Sequence, residues 1–194
     1  MPSSSPGSLI RRLAQALDRA GIPYAITGGQ ALLVHSRPRT TFDVDLTVDM
    51  ALDQVERLVA ALAEAGIAPL PDDPQAFARQ HYLLPCLDSD TDLRVDVALG
   101  LTPYEREAIS RATAVPVEGY PVRYLSPEDL LVHKLVAWRP QDQVDALELL
   151  RSQPRMDMRY VRRWLAEFER SLSQPLRARL GRLLRRAKGS PAPW

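Results

Sequence analysis

Two aspartates stand two residues apart in a segment that alternates apolar and polar residues. In Asp43-Val44-Asp45 this alternation indicates a strand and places both carboxylates on one face, about 6.6 Å apart along the backbone. Like charges this close are unfavourable unless a cation neutralises them. Mg²⁺ (or Mn²⁺) is the natural candidate, because hard cations take carboxylates together with substrate phosphates. The pair predicts a divalent-cation site; the alternative is a strand whose solvent face happens to be acidic.

A third carboxylate lies on a second alternating segment, residues 92–99. Asp96 occupies its polar face, whereas Asp92 stands at its beginning and is expected to lie at the surface or in a turn. Three carboxylates can hold two metal ions roughly 3.5–4 Å apart, which together clamp an attacking and a leaving oxygen. We therefore expect Asp96 to complete the metal site and to serve as a base for an incoming hydroxyl.

Groups suited to phosphate flank the first two acids. Thr27-Gly28-Gly29 lies between a predicted buried strand and a predicted helix, where backbone N–H groups and the helix dipole can bind phosphate. We expect Gly28 and Gly29 to do so if the acids bind metal, and otherwise to form only a turn. Donors for triphosphate oxygens come immediately before the acids, and Arg39 and Thr41 are the predicted nucleotide-binding residues among Arg37, Arg39, Thr40 and Thr41.

Together these motifs resemble the core of the polymerase β-type nucleotidyltransferase superfamily. The resemblance rests on Gly28-Gly29, on Arg39-Thr40-Thr41-Phe42-Asp43-Val44-Asp45-Leu46 and on Val95-Asp96-Val97. It implies metal-dependent transfer of a nucleoside monophosphate from an NTP to an acceptor hydroxyl, with pyrophosphate leaving. Gly29 departs from the pattern, since many relatives have Ser there.

The downstream segment narrows the resemblance. Ser126-Pro127-Glu128-Asp129 with Lys134, and then Arg139 with Asp142 and Asp145, is similar to the AbiEii-like nucleotidyltransferases of bacterial toxin–antitoxin and phage-defence systems. The resemblance implies that Lys134 acts on the nucleotide phosphates and that Asp142 belongs to the nucleotide site. From the residues alone, Lys134 could equally be a snorkelling surface lysine. Asp142 and Asp145, three apart on one helical face, could orient Lys134 or Arg139, contact substrate or form a structural ion pair.

The acceptor stays open between several substrate classes. RNA, in particular the 3′ end of tRNA, is the first expectation from the resemblance, with an antitoxin protein as a further partner. A protein or a small hydroxylated molecule such as an aminoglycoside is the alternative acceptor. A nucleotidyltransferase-like module that binds without turnover is a different class, against which the retention of all three acids argues. A hydrolytic phosphodiesterase would need a histidine cluster, and His35, His81 and His133 have no metal-like spacing.

Composition excludes several other classes of protein. The chain has 194 residues, 45% of them hydrophobic and 25% charged, which is typical of a globular protein rather than a disordered or coiled-coil one. A single cysteine, Cys86, excludes an internal disulfide and a Cys-rich metal site. Neither a membrane span nor a secretory signal is visible, so we expect a cytoplasmic protein with no membrane partner.

The net charge of +1 hides a segregated distribution. Residues 151–194 carry 12 basic and three acidic residues, so the rest of the chain is acidic. Such a basic segment could dock on the acidic part, contact a protein partner or follow a nucleic-acid backbone.

Strands and helices that must position these residues can be assigned from periodicity. We predict strands at 24–27, 42–48, 92–99, 115–117 and 122–125, a weak strand at 81–84 and loops at 70–73 and 87–90. Predicted helices cover 9–20, 30–35, 51–65, 102–112, 126–138, 142–151, 157–171 and 175–188. The fold class is α/β (α+β), a small mixed sheet with flanking helices followed by a helical part. We expect a flexible N-terminus over 1–8, a nucleotidyltransferase core over 9–125 and a helical subdomain with a basic tail over 126–194.

Overall fold

A computed structural model describes residues 5–36 and 43–189. Within these ranges the strands are β1 (Tyr24–Ile26), β2 (Val44–Val48), β3 (Ile67–Pro69), β4 (Leu83–Asp88), β5 (Arg94–Leu99), β6 (Thr113–Val117) and β7 (Tyr120–Tyr124). The helices there are α1 (Pro6–Arg19), α2 (Gly28–His35), α3 (Val55–Glu64), α4 (Pro74–His81), α5 (Pro103–Ser110), α6 (Pro127–Ala137), α7 (Pro140–Ser152), α8 (Met158–Leu172) and α9 (Leu176–Lys188). A mixed α/β part followed by helices confirms the predicted fold class.

All strands of the described residues belong to one mixed sheet, in the order β3-β4-β5-β2-β1-β7-β6. The pairs β2–β5 and β1–β7 are parallel, and the other neighbours are antiparallel. The parallel pair β2–β5 joins the two alternating segments in which the three acids were predicted. Sheet topology therefore brings together residues that are about fifty positions apart in the sequence.

Short-range signals explain where several elements begin and end. Ser5 caps α1 by accepting a hydrogen bond from the backbone of Ser8, and Pro6 suits the first helical turn, so α1 begins at Pro6 rather than at Leu9. The two-residue turn between β6 and β7 consists of Glu118 and Gly119, both with positive φ, as a tight hairpin requires. The predicted strands 115–117 and 122–125 thus belong to one hairpin.

The segment between α3 and β5 differs most from prediction. Residues 70–73 lead into α4, whose N-cap Asp73 accepts a hydrogen bond from Ala76, and this helix was missed because it buries only Ala78. β3 was also missed, and β4 is longer than the predicted weak strand and includes Leu87 and Asp88. These elements are short, and their pairing is decided by neighbouring strands rather than by local periodicity.

Packing also changes one predicted face of β2. Alternation placed Thr47 on the polar face with the acids, but the side chain is buried. The reason is that α5 packs against β2 at this end of the strand. The open part of the polar face is therefore the beginning of β2, at Asp43 and Asp45.

The described residues form two compact units, which are treated separately below. The first unit comprises residues 5–31 and 43–125, and it contains the sheet. Its core includes Leu9, Leu13, Val44, Leu46, Leu58, Leu62, Val95 and Val97, all essentially inaccessible to solvent. The second unit comprises residues 32–36 and 126–189 and contains α6–α9. None of the helices described here is long and apolar enough to cross a membrane.

Candidate active site

Two predicted metal ligands lie side by side in the sheet of the first unit. In the parallel pairing of β2 with β5, Asp45 is opposite Asp96. Neighbouring strands are about 4.8 Å apart, so the two side chains leave the same face at adjacent positions. Both residues are half-buried, and Asp43, directly before β2, is exposed. The three acids that were predicted from spacing are thus accessible from one face of the sheet.

A glycine makes room for one of these carboxylates. Gly28, the first residue of α2, has φ +57°, and a Cβ built on it would lie 1.9 Å from Oδ2 of Asp45. No larger residue fits there unless Asp45 moves, and the backbone conformation independently favours glycine. The backbone N–H of Thr27 donates to the carbonyl of Asp45 at 2.8 Å. The beginning of α2 therefore lies against Asp45, and the Gly-Gly pair is the first turn of the helix itself.

An arginine contacts the third acid. Nε of Arg94 donates to Oδ1 of Asp96 at 3.0 Å, and the two side chains are 51% and 25% exposed. This hydrogen bond and the charge of Asp96 raise the pKa of Arg94, with smaller contributions from Asp43 and Asp45. All three carboxylates therefore act electrostatically on the guanidinium of Arg94. The sequence interpretation gave Arg94 no role, although it stands two residues before Asp96 on the same strand face.

The side chains of the acidic face suit a divalent cation in their chemistry, but they are not arranged around one. Hard carboxylate oxygens are the ligands that Mg²⁺ and Mn²⁺ prefer. Gly28 has no Cβ, which lets the Asp45 carboxylate lie against the first turn of α2. As the side chains are arranged, no three His, Cys, Asp or Glu residues within 5–36 and 43–189 converge closely enough to enclose a metal ion. Asp96 is turned to Arg94 instead, so metal binding would require the Asp96 carboxylate to change partner.

Other predicted phosphate ligands divide into two groups. Gly29 is buried in the first turn of α2, next to Gly28. Arg39 and Thr41, with Arg37 and Thr40, lie outside the described residues. Asp92, the rejected candidate for the third acid, is exposed with φ +56° in the turn before β5.

A second cluster of charges lies inside the second unit. Nζ of Lys134, on α6, is 3.0 Å from Oδ1 of Asp142 and 2.8 Å from Oδ2 of Asp145, both on α7. The three side chains are only 8%, 1% and 2% exposed. Lys134 is therefore a buried, ion-paired lysine rather than a snorkelling one.

Asp142 also fixes the arginine at the beginning of α7. It accepts hydrogen bonds from the backbone N–H of Arg139 at 3.0 Å, from Nε at 2.7 Å and from Nη2 at 3.2 Å. Burial would raise the pKa of Asp142, but the hydrogen bonds from Arg139 and Lys134 outweigh it and lower the pKa. The Arg139 side chain stays 74% exposed. Asp142 thus connects a buried ammonium with an accessible guanidinium.

Ser126 caps the N-terminus of α6. Oγ of Ser126 accepts from the backbone N–H of Asp129, and Pro127 occupies the first turn. Asp129 is fully buried, and its carboxylate accepts from Oγ of Ser126 and from the phenol of Tyr160, both at 2.6 Å. Asp129 therefore links α6 to α8.

Some of the basic side chains of residues 151–194 make contacts within the second unit. α9 buries Leu176, Leu180 and Leu183. Arg179 donates to the carbonyls of Leu135 and Val136 at the end of α6. Arg179 and Arg182 lie over the ring of Trp138, at 5.1 and 5.6 Å from its centroid.

Comparisons with known proteins agree with the motifs. The family model described as "Nucleotidyl transferase AbiEii toxin, Type IV TA system" matches residues 11–188, which confirms the resemblance inferred from the sequence. A search of curated proteins found no match.

Three solved structures share the fold. The antibiotic-resistance factor ANT(2'')-Ia has a TM-score of 0.59 and 18% identity, over 86% of this chain and 94% of that one. A nucleotidyltransferase-like antigenic protein from Paracoccidioides brasiliensis has a TM-score of 0.56 and 20% identity, over 91% and 94%. The lincosamide antibiotic adenylyltransferase LnuA has a TM-score of 0.52 and 13% identity, over 75% and 96%. At these identities the similarity shows the fold alone.

Proposed function

The chain belongs to the AbiEii nucleotidyltransferase toxin family, and we propose that it transfers a nucleoside monophosphate from an NTP to an acceptor hydroxyl. The proposed site is the acidic face of the first unit, formed by Asp43, Asp45 and Asp96. The observation that carries the proposal is the parallel register in which Asp45 lies beside Asp96, with the beginning of α2 against Asp45.

In this proposal the three carboxylates bind one or two divalent cations, Mg²⁺ or Mn²⁺. The bound cation would supply charge neutralisation at the transferred phosphoryl group and at the leaving pyrophosphate. Asp96 would also accept the proton of the acceptor hydroxyl, since its side chain is 25% exposed and can reach a group approaching from solvent. Asp43 and Asp45 would hold the cation and so orient the nucleotide.

The first turn of α2 is the proposed phosphate site. Gly28 and Gly29 carry backbone N–H groups at the N-terminus of an eight-residue helix, where the helix dipole favours anions. Gly28 lets this turn approach Asp45 closely, so phosphate and carboxylates can share one cation. Arg39 and Thr41 are proposed as further phosphate donors on the basis of the sequence.

In the second unit, the contacts support a positioning role for Lys134 and Asp142. The Lys134 ammonium already contacts two carboxylates, whereas Arg139 has an exposed guanidinium held by Asp142. We therefore assign contact with an anionic substrate to Arg139, with Lys134 acting through Asp142. An Arg fork suits phosphate oxygens better than a point charge does.

The 3′ end of RNA is the acceptor to test first, because the family model describes a toxin and because α9 is rich in arginine. A small hydroxylated molecule is the second acceptor to test, since ANT(2'')-Ia is described in complex with adenylyl-2''-tobramycin. An antitoxin protein is the proposed macromolecular partner.

The decisive experiment incubates the protein with each α-³²P-labelled NTP, Mg²⁺ or Mn²⁺, and either total tRNA or an aminoglycoside. Asp43→Asn/Asp45→Asn is the inactive variant. Asp49→Asn is its matched control, because Asp49 follows the same strand but pairs with Arg106. We expect labelled RNA with wild type and with D49N, and none with the double variant.

Two other results would revise the proposal. Label on the aminoglycoside or on a protein would keep the chemistry and change the acceptor. No label from folded protein with any NTP, metal and acceptor would contradict the enzyme and favour a module that binds without turnover.

A further inference from the structure

Arg94 is a fourth charged residue on the acidic face. Asp45 is opposite Asp96 in the parallel pair β2–β5, and Asp43, directly before β2, is near enough to Arg94 for its charge to help raise the pKa of Arg94. Side chains two apart on a strand share a face, so Arg94 and Asp96 lie on the same side as Asp43 and Asp45. The four residues therefore occupy the corners of one small patch, with three negative charges and one positive charge.

Electrostatics explains why an arginine lies among these three acids. Like charges directly opposite one another on neighbouring strands are destabilising, and Asp45 and Asp96 are such a pair. Arg94 offsets this repulsion, since its guanidinium bonds Asp96 at 3.0 Å. The pair is solvent-accessible, with half of the Arg94 side chain exposed. Exposed ion pairs contribute little free energy, so this one can be exchanged readily.

We propose that Arg94 is an internal counter-ion of the acidic face, which holds Asp96 while no divalent cation is bound and releases it when a cation binds. This inference rests on the proposed function, because it concerns the same three carboxylates. Arg94 is a positioning residue here, since it acts through Asp96. A cation that ligates Oδ1 of Asp96 would take the position of Nε of Arg94, so the two would compete for that oxygen.

Competition makes a definite prediction about metal affinity. By linkage, a group that must be displaced by the cation weakens cation binding, and its removal strengthens it. Arg94→Met removes both the charge and the hydrogen bond at similar side-chain length. Because an exposed pair of this kind is weak, we expect the affinity for Mn²⁺ to rise by roughly two- to fivefold.

The experiment measures Mn²⁺ binding by the decrease of the free-ion EPR signal, with no nucleotide present. Arg106→Met is the matched control, because it removes one positive charge from an exposed ion pair in the same unit but outside the patch. Arg94→Lys keeps the charge and loses the guanidinium fork. We expect tighter binding by R94M than by R106M, with R94K between R94M and wild type.

Thermal unfolding gives an independent readout. Without metal, R94M should unfold at a lower temperature than R106M, because the carboxylates lose their counter-ion, and saturating Mn²⁺ should remove this difference. Equal Mn²⁺ affinities for R94M and R106M, or weaker binding by R94M, would overturn the inference. Wild type and R94M that both fail to bind Mn²⁺ while folded would instead overturn the proposed metal site, and the inference with it.

Discussion

The aspartates of the first unit and those of the second unit carry the same charge in different surroundings. Asp45 and Asp96 are half-buried at the surface of the sheet, and the cation that bonds Asp96 is the exposed guanidinium of Arg94. Asp142 and Asp145 are almost inaccessible and share the buried ammonium of Lys134. Both clusters were predicted from the spacing of aspartates. Only the carboxylates of the first cluster are accessible to ions from solution.

Burial explains the difference. A carboxylate removed from water must have a partner within the protein, because the cost of an uncompensated buried charge is several kcal/mol. A carboxylate in contact with water has no such requirement and can leave its neutralisation to an ion or a substrate. Solvent access is therefore what distinguishes the acids proposed to bind a ligand from the structural ones in this chain.

The largest expected effect concerns the buried cluster. Lys134→Met leaves Asp142 and Asp145 without their shared cation, and we expect the free energy of unfolding to fall by about 3–5 kcal/mol. Urea unfolding measures it. For the exposed cluster, Asp45→Asn should change the same quantity by less than about 1 kcal/mol, because it relieves repulsion at an accessible site.

A double variant keeps this comparison testable if the single variant does not fold. Lys134→Met/Asp145→Leu removes one charge of each sign and leaves Asp142 paired with Arg139. We expect most of the lost stability to return. Equal losses for K134M and D45N would show that burial does not distinguish the clusters.

An intermediate effect is expected where α2 meets the exposed cluster. Gly28→Ala places a methyl group on the Asp45 carboxylate and strains a positive φ, so we expect a loss of about 1–3 kcal/mol and a loss of nucleotidyl transfer. Gly119→Ala is the matched control, because Gly119 also has positive φ, +80°, but no atom lies within 4 Å of its added Cβ. Transfer retained by G119A and lost by G28A would locate the effect at Asp45. If both variants kept full transfer, the close approach would not matter for activity.

The smallest expected effect is a pH dependence in the buried cluster. The pKa of Asp142 is lowered from its ordinary value of 3.8, since the hydrogen bonds from Arg139 and Lys134 outweigh burial. A lowered folded-state pKa stabilises the protein above the unfolded-state pKa, and this stabilisation disappears as the pH falls through the folded-state pKa. The difference in unfolding free energy between wild type and Asp142→Asn should therefore be full at pH 7 and smaller at pH 3.

Urea unfolding at several pH values measures this difference. If it stayed constant down to pH 3, the ionised form of Asp142 would not be the source of the stabilisation. The acidic face offers no equally simple pH test of stability, because metal ions and protons would compete for its carboxylates.

Local patterns predicted much of the fold but not all of it. The alternation around Asp45 and Asp96 identified β2 and β5, and Ser126-Pro127 identified the beginning of α6. The same patterns missed α4 and β3, because short elements with little buried surface carry weak periodic signals. Arg94 was visible on the polar face of its strand, but nothing local indicated which neighbour it would bond.

The sequence by itself determined the family, the residue types of the acidic face and the alternation that puts them on one side of each strand. Only the tertiary structure decided that β2 and β5 are adjacent and parallel, that Gly28 lies against Asp45 and that Lys134 is buried between two aspartates. The physical reason is the separation along the chain of the residues that determine each feature. Side-chain alternation follows from the geometry of one strand, whereas strand order and burial depend on the packing of segments far apart in the chain.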